Sequence, residues 1–200
     1  MGYVKKRINE LSKEHGGKMK ASRFCEDWFN DAIKKRAVKE AQITRDRFQP
    51  GKIYIFKYTK PKYIENLPWF DENPVVLAIE QTGDNDFGVN LNLLPVPVKE
   101  QLLDDLYNRL GNVMKKTANE KSNPLTEKQL KISYKGMKSY LEKFGCEFAL
   151  RQYIPDKKKN QAVVSYSKWP EIALCNFMEL NGTDIMKIRA MYKDYLKKNI

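Results

Sequence analysis

The segment from Pro50 to Pro95 constrains the fold of this chain more than any other part of the sequence. It contains three runs rich in β-branched and aromatic residues, at 53–58, 75–80 and 87–93. Such runs are typical of strands, and turn-forming residues separate them. The connection between the first two runs is too long for a tight hairpin. The pattern predicts a small antiparallel sheet with a long loop on its rim.

That loop is rich in proline and aromatic residues. Its prolines restrict the backbone and lower the entropy cost of ordering the loop. If Trp69 and Phe70 are exposed, they create an apolar surface large enough to mark a partner site. If they fold inward, they cap the sheet. The sequence leaves both interpretations open, and we take Leu67, Trp69 and Phe70 as candidate partner-docking residues.

Apolar residues at helical spacing predict a helix over 18–47, before the sheet. Phe24, Trp28 and Phe29 lie on its apolar stripe. The stripe is typical of a helix packed on the core, and a helix that docks on a neighbouring subunit has the same pattern. We therefore include these three residues among the candidate docking residues. The preceding polar and basic segment, 1–17, is predicted to be a short helix or a loose arm.

The second half of the chain is predicted to contain a helical pair within 99–144, a β-hairpin over 147–166 and C-terminal helices over 168–198. We divide the chain into an N-terminal arm with an amphipathic docking helix, 1–47, and a core domain, 48–200. The predicted fold class is α+β. Its sheet is expected to be small, strongly curved and barrel-like, decorated by N-terminal, central and C-terminal helices.

The chain is strongly basic, with 37 Lys and Arg against 25 Asp and Glu, and a net charge of +12. The excess lies outside the sheet segment, since residues 50–98 carry only four basic and six acidic side chains. A balance of this size favours a polyanion partner, usually nucleic acid. A composition that places lysine wherever a solvated residue is needed gives the same balance, so both explanations stay open.

The densest basic cluster is Lys157, Lys158 and Lys159, at the tip of the predicted hairpin. Three ammonium groups on one turn can neutralise phosphates and release counterions without reading the base sequence, although a solvated turn has the same composition. The last helix adds cations that lie largely off its apolar stripe. The candidate DNA-backbone residues are Lys157, Lys158, Lys159, Lys187, Arg189, Lys193 and Lys197.

Several kinds of catalytic site lack the residues they need. His15 is the single histidine, so a nucleophilic triad and a clustered zinc site are both disfavoured. Cys25, Cys146 and Cys175 are odd in number and far apart, which indicates buried thiols in a reducing compartment. The sequence has no phosphate-binding glycine motif and no apolar run of about 18 residues. We expect no enzymatic activity, no cofactor, no metal and no membrane insertion.

Three blocks of the sheet segment form a recognisable series. They are Pro50-Gly51-Lys52-Ile53-Tyr54, Leu67-Pro68-Trp69-Phe70-Asp71 with Pro74, and Gly88-Val89-Asn90-Leu91 with Leu94-Pro95. In order and spacing the series resembles a family of tailed-bacteriophage proteins that are commonly named DNA end protectors. Related proteins resemble neck or tail-ring components, and the Lys/Asn/Ile-rich composition of the chain is similar to that of crAss-like phage proteins. The resemblance covers 48–196 and leaves 1–47 outside it.

The chain departs from the family pattern at two places. Trp69 and Phe70 stand where the family has two tyrosines, which predicts a more apolar contact. Asn92 and Leu93 replace a His-Tyr pair, and the loss of that histidine argues against a proton-transfer or metal role.

The resemblance implies a structural protein of the virion, in the head–tail connector region of portal, neck and tail ring. Expected partners are the portal or other ring proteins, further copies of the chain in a homo-oligomeric ring, and packaged double-stranded DNA. Assembly would take place in the host cytoplasm. The alternative is a DNA end protector that binds duplex termini and blocks exonuclease. A third interpretation, a nuclease, needs carboxylates that converge on one point.

Overall fold

Five antiparallel strands form the centre of the protein. The computed structural model describes residues 2–37, 47–59, 71–80, 83–119, 132–177, 186–188, 190, 191 and 194. The strands are β1 (Ile53–Tyr58), β2 (Val75–Ala78), β3 (Asp86–Asn90), β4 (Leu150–Tyr153) and β5 (Lys158–Val164). They lie in the order β4-β3-β2-β1-β5, and each neighbouring pair is antiparallel. The predicted α+β class is confirmed.

The sheet is open and is not closed into a barrel. β4 and β5 are its two edges, so they do not pair with each other as the predicted hairpin requires. Pro155 begins a single helical turn, Pro155–Lys157, which leads the chain from one edge strand to the other. β5 then pairs with β1 instead of β4. The strongly curved, barrel-like form that the sequence predicts is not confirmed.

The third strand is shorter than its alternating pattern predicts. It ends at Asn90, where the side-chain oxygen accepts a hydrogen bond from the backbone N–H of Asn92. This local bond starts a turn of 3-10 helix, Leu91–Leu93, in place of a continued ladder. Gly88 lies in the regular ladder opposite Ala78, and no bulge forms there. A Cβ at Gly88 would lie 2.2 Å from a methyl carbon of Val76, so close approach explains the glycine.

Five continuous helices are bounded within the described part of the chain, and shorter helical stretches occur after residue 176. The five helices are α1 (Tyr3–Glu14), α2 (Lys18–Ala37), α3 (Val96–Asn119), α4 (Tyr134–Glu142) and α5 (Trp169–Leu174). Ser133 caps α4 by accepting a hydrogen bond from the Gly136 N–H. Of the two interpretations of residues 1–17, the structure shows the short helix, α1, whose residues Val4, Ile8 and Leu11 are buried. None of these helices is long and apolar enough to cross a bilayer.

Each face of the sheet packs on its own hydrophobic cluster. The larger cluster joins one face to the helices and includes Ile53 and Ile55 of β1, Phe29 of α2 and Trp169 of α5. The smaller cluster covers the other face with aromatic rings. Its members are Phe48, Tyr54, Phe56, Tyr58, Val76, Ala78 and Tyr153. The alternation of β1 between Ile and aromatic residues therefore has a structural cause, because successive side chains point to opposite faces.

Candidate nucleic-acid interface

A bulge in edge strand β5 decides where the three consecutive lysines point. Ile55 of β1 faces Ala162, but the next paired residue on the same face, Lys57, faces Lys159. One extra residue of β5 is therefore accommodated between these two pairs. The backbone of Asn160 accommodates the extra residue by adopting a φ of 54°, in the left-handed region. This is the usual way in which an antiparallel ladder takes up one additional residue.

Neighbouring lysines of a strand point to opposite faces of the sheet, and the bulge determines which lysine lies on which face. A regular ladder continued from Ile55 and Ala162 would place Lys159 opposite Tyr58, on the aromatic face. In the structure Lys158 faces Tyr58, and Lys159 faces Lys57 on the other side. Because directly opposed residues share a face, Lys57 and Lys159 form a cross-strand pair of like charge.

Lys158 is not available to a nucleic acid, contrary to the sequence prediction. Its side chain has no solvent exposure, and its ammonium donates to the buried carboxylate of Asp86. The ammonium also lies 4.2 Å from the centre of the Phe48 ring. Burial of an ammonium requires such a partner, since an unpaired charge in the interior is costly. The lysine is therefore part of the core of the aromatic face.

Asp86 also fixes the chain segment that enters the sheet. Its second oxygen accepts from Nε of Arg47 at 2.8 Å and from the backbone N–H of Phe48 at 3.2 Å. Arg47 donates further to the carbonyl oxygens of Gly83 and Asn85, at 3.1 and 2.9 Å. One carboxylate thus joins three separate stretches of chain.

The remaining basic residues at this edge are at least partly exposed, and none of them forms an ion pair with an acid among the described residues. Lys57 is exposed, and Lys157 and Lys159 are half-buried. The backbone carbonyl of Lys157 accepts from the Thr59 N–H at 2.9 Å, which holds Lys157 beside the end of β1. Sequence reasoning missed Lys57, because a single lysine in an apolar strand carries no basic cluster. We call Lys57, Lys157 and Lys159 the β5-edge lysines.

The aromatic loop ends at Asp71, whose carboxylate is held beside the sheet by hydrogen bonds. One oxygen of Asp71 accepts from the side-chain amides of Asn90 and Asn92, at 3.0 and 2.7 Å, and the other accepts from the Asn73 N–H at 3.1 Å. Burial raises the pKa of Asp71, while the hydrogen bond from Asn90 acts in the opposite direction. The three candidate docking residues of the loop, Leu67, Trp69 and Phe70, lie outside the described residues.

The three candidate docking residues of α2 differ in how far they are buried. Phe29 is buried and packs edge-on against Phe177 with ring centres 4.7 Å apart, so it belongs to the core. Trp28 is half-buried under the Lys168 ammonium, 5.3 Å from the ring centre. Phe24 is 49% exposed and stacks on His15 at 4.2 Å. Of the three, Phe24 alone presents a large apolar surface to solvent.

Of the four candidate DNA-backbone residues near the C-terminus, one lies among the described residues. Lys187 is exposed on a helical stretch. The other three candidates, Arg189, Lys193 and Lys197, lie outside the described residues.

The buried titratable groups serve packing. The thiols of Cys25, Cys146 and Cys175 are all buried, and desolvation raises the pKa of Cys25 to about 12. Lys99 is buried beneath α2 and α5, where its ammonium donates to the carbonyl oxygen of Cys175 and lies 4.3 Å from the Phe177 ring centre. Within the described ranges, no group of three His, Cys, Asp or Glu side chains is arranged to hold a metal ion.

One cavity lies between α3 and α4, with a volume of about 200 Å³. Leu102, Leu106, Ile132 and Met137 supply its apolar wall. The carboxylate of Asp105 at its edge already accepts from the Tyr140 hydroxyl at 3.0 Å and from the Gln101 amide at 2.8 Å. The polar groups of the cavity are thus largely satisfied within the protein.

Fold and surface together define an α+β protein with an open antiparallel sheet and solvated lysines along one edge. A comparison with protein families matches residues 3–185 to the family described as Phage T4 terminal DNA protecting protein. The chain belongs to this family, and its resemblance to phage DNA end protectors is confirmed. The match includes α1 and α2, so the segment 1–47 does not lie outside the family. Comparisons with curated proteins and with solved structures gave no match.

Proposed function

We propose that this protein binds the ends of linear double-stranded DNA and shields them from exonucleases. The main support for this proposal is the family match over residues 3–185. The net charge of +12 supports it, since a strongly basic protein is attracted to the phosphate backbone. The solvated β5-edge lysines offer a place for that contact. The match favours this function over the connector role that the sequence first suggested.

The protein acts by occupying DNA and has no catalytic step of its own. Two carboxylates beside the sheet support this part of the proposal, because Asp86 and Asp71 each accept hydrogen bonds from several donors of the protein itself. A nuclease would need carboxylates that are free to hold metal and water. Incubation of the protein with linear DNA and Mg²⁺ or Mn²⁺ should leave the DNA intact. Metal-dependent cleavage that co-purifies with the protein would contradict this part.

An exonuclease assay tests end protection directly. The full-length chain is mixed with a linear duplex and challenged with a processive exonuclease, and the surviving full-length DNA is measured. Two competitors of equal mass are then compared: open linear duplex and duplex closed at both ends by hairpins. An end-binding protein is displaced by the open ends only. Equal competition by both would show general coating of DNA, and digestion at the rate of naked DNA would reject the function.

A location at the head–tail connector remains a second candidate, together with portal or ring partners and a homo-oligomeric ring. It rests on the motif resemblance of the sheet segment alone. Quantitative mass spectrometry of purified virions separates the two candidates. A ring requires many stoichiometric copies per particle, whereas a protein that sits on DNA termini requires only a few. Virion association itself is compatible with either.

A further inference from the structure

We infer that the lysine pair Lys57 and Lys159, extended by Lys157, is the duplex-contacting point of the protein and grips the phosphate backbone without reading base sequence. This inference rests on the proposed function, because it assigns the DNA contact to one edge of the sheet. It differs from the sequence prediction in two ways: Lys57 enters the site, and Lys158 leaves it.

The first support is the unfavourable charge arrangement. Lys57 and Lys159 face each other directly across the β1–β5 ladder, with Cβ atoms expected about 5 Å apart. Like charges in this position destabilise a sheet. No described acid forms an ion pair with either of them, although seven ion pairs occur elsewhere among the described residues. An arrangement that disfavours folding is expected where the surface serves binding.

The second support is the geometry of the strand edge. β5 is the last strand of the sheet, so one side of it faces no other strand among the described residues. The bulge at Asn160 places Lys159 beside Lys57, while Lys158 is fixed inside by Asp86. Lys157 precedes β5 and is held to the end of β1 through the Thr59 N–H. Three ammonium groups on long flexible stems thus start from a rigid base of backbone hydrogen bonds.

The occupant that fits this surface is a duplex phosphate backbone. Lysine is a point charge without the planar fork of arginine, so it neutralises phosphates without fixing one ligand orientation. Backbone contacts of this kind give affinity that is independent of base sequence and sensitive to salt. A protein that protects DNA ends of different sequence needs contacts of this type.

The test measures how DNA affinity depends on salt. The full-length protein and the variant K57Q/K159Q are titrated with a linear duplex at several salt concentrations. Each lost phosphate contact lowers the slope of log affinity against log salt by about 0.9, so the double variant should show a slope smaller by about 2. The variant K57R/K159R keeps both charges and should keep the slope.

A matched control removes the same charge elsewhere. Lys135 on α4 and Lys143, the residue that follows the helix as its C-cap, are both exposed. The helix packs beside β3 through Tyr134 and Phe87, at a ring distance of 5.8 Å. The variant K135Q/K143Q should leave the slope unchanged. K57Q/K159Q should also melt no lower than the unmodified protein, because it removes a repulsive pair. An equal loss of slope in the control, or an unchanged slope in K57Q/K159Q, overturns the inference.

The outcomes also separate this inference from the proposed function. If the unmodified protein protects ends and K57Q/K159Q retains its slope, the DNA contact lies elsewhere and the function stands. In the opposite case, the unmodified protein shows no preference for open ends, while K57Q/K159Q has a smaller slope of log affinity against log salt. The β5-edge lysines then bind duplex DNA, and the end-protecting function is rejected.

Discussion

The ammonium of Lys158 donates to the carboxylate of Asp86 in the interior of the protein, and neither side chain is exposed to solvent. Arg47 and the backbone N–H of Phe48 complete the surroundings of that carboxylate. The pair joins edge strand β5 to β3, although β2 and β1 lie between them in the sheet. It therefore links parts of the aromatic face that backbone hydrogen bonds do not connect.

Replacement of Asp86 by Ala should lower the free energy of unfolding by about 3–5 kcal/mol, because Lys158 is left buried without its counter-ion. Chemical denaturation of the purified chain measures this. The exposed pair Lys138–Glu142, 3.9 Å apart on α4, is the control. Glu142→Gln should cost less than about 1 kcal/mol. Similar small losses for both variants would show that the Asp86 pair does not stabilise the fold.

Asn160 should tolerate glycine and reject a β-branched residue. Its φ of 54° is accessible to glycine without steric cost, whereas valine is strained there. We expect Asn160→Gly to fold with nearly unchanged stability and Asn160→Val to lose about 1–3 kcal/mol. Thermal melting of the two variants distinguishes them. Equal melting temperatures would mean that the backbone relaxes out of the bulge without loss.

Local patterns were sufficient to predict the fold class and most elements. The first two strands follow from their β-branched and aromatic runs. Strand partners were predicted less well, because pairing depends on contacts far apart in sequence. β4 and β5 are close in the chain, yet they form opposite edges of the sheet.

The candidate site was only partly predictable for the same reason. Composition identified the lysine cluster. One inserted residue in β5 determines which lysine is buried, and this insertion is recognised only from the pairing register of β1 and β5. Lys57 had no signal beyond its own charge. Phe29 was predicted with Phe24 as one stripe, because helical periodicity shows that residues share a face and does not show where the core ends.

The two phenylalanines of α2 should respond very differently to truncation. Phe29 is buried against Phe177, so Phe29→Ala should destabilise the protein by about 3–5 kcal/mol. Phe24 is 49% exposed, and Phe24→Ala should cost less than about 1 kcal/mol through loss of its contact with His15. Denaturant titration of both variants gives the comparison. A large loss for Phe24 would place it in the core and remove it from the candidate docking residues.

Lys99 should make stability depend on pH in the alkaline range. Burial lowers its pKa to about 8 from the ordinary value of 10.5. Between these two values the unfolded chain binds more protons than the folded chain, so the contribution of Lys99 to stability rises as pH increases. Below pH 8 both states are protonated, and the contribution becomes constant. The expected rise is on the order of 3 kcal/mol.

The difference between the unmodified protein and Lys99→Met isolates this effect. The thiols of Cys25 and Cys175 have raised pKa values because they are buried, so they act in the opposite direction at high pH. Both thiols are present in the two proteins, and their contribution largely cancels in the difference. Free energies of unfolding measured at intervals between pH 7.5 and 10.5 should therefore rise for the unmodified protein relative to Lys99→Met. A flat difference would show that the Lys99 ammonium keeps its ordinary affinity for the proton inside the fold.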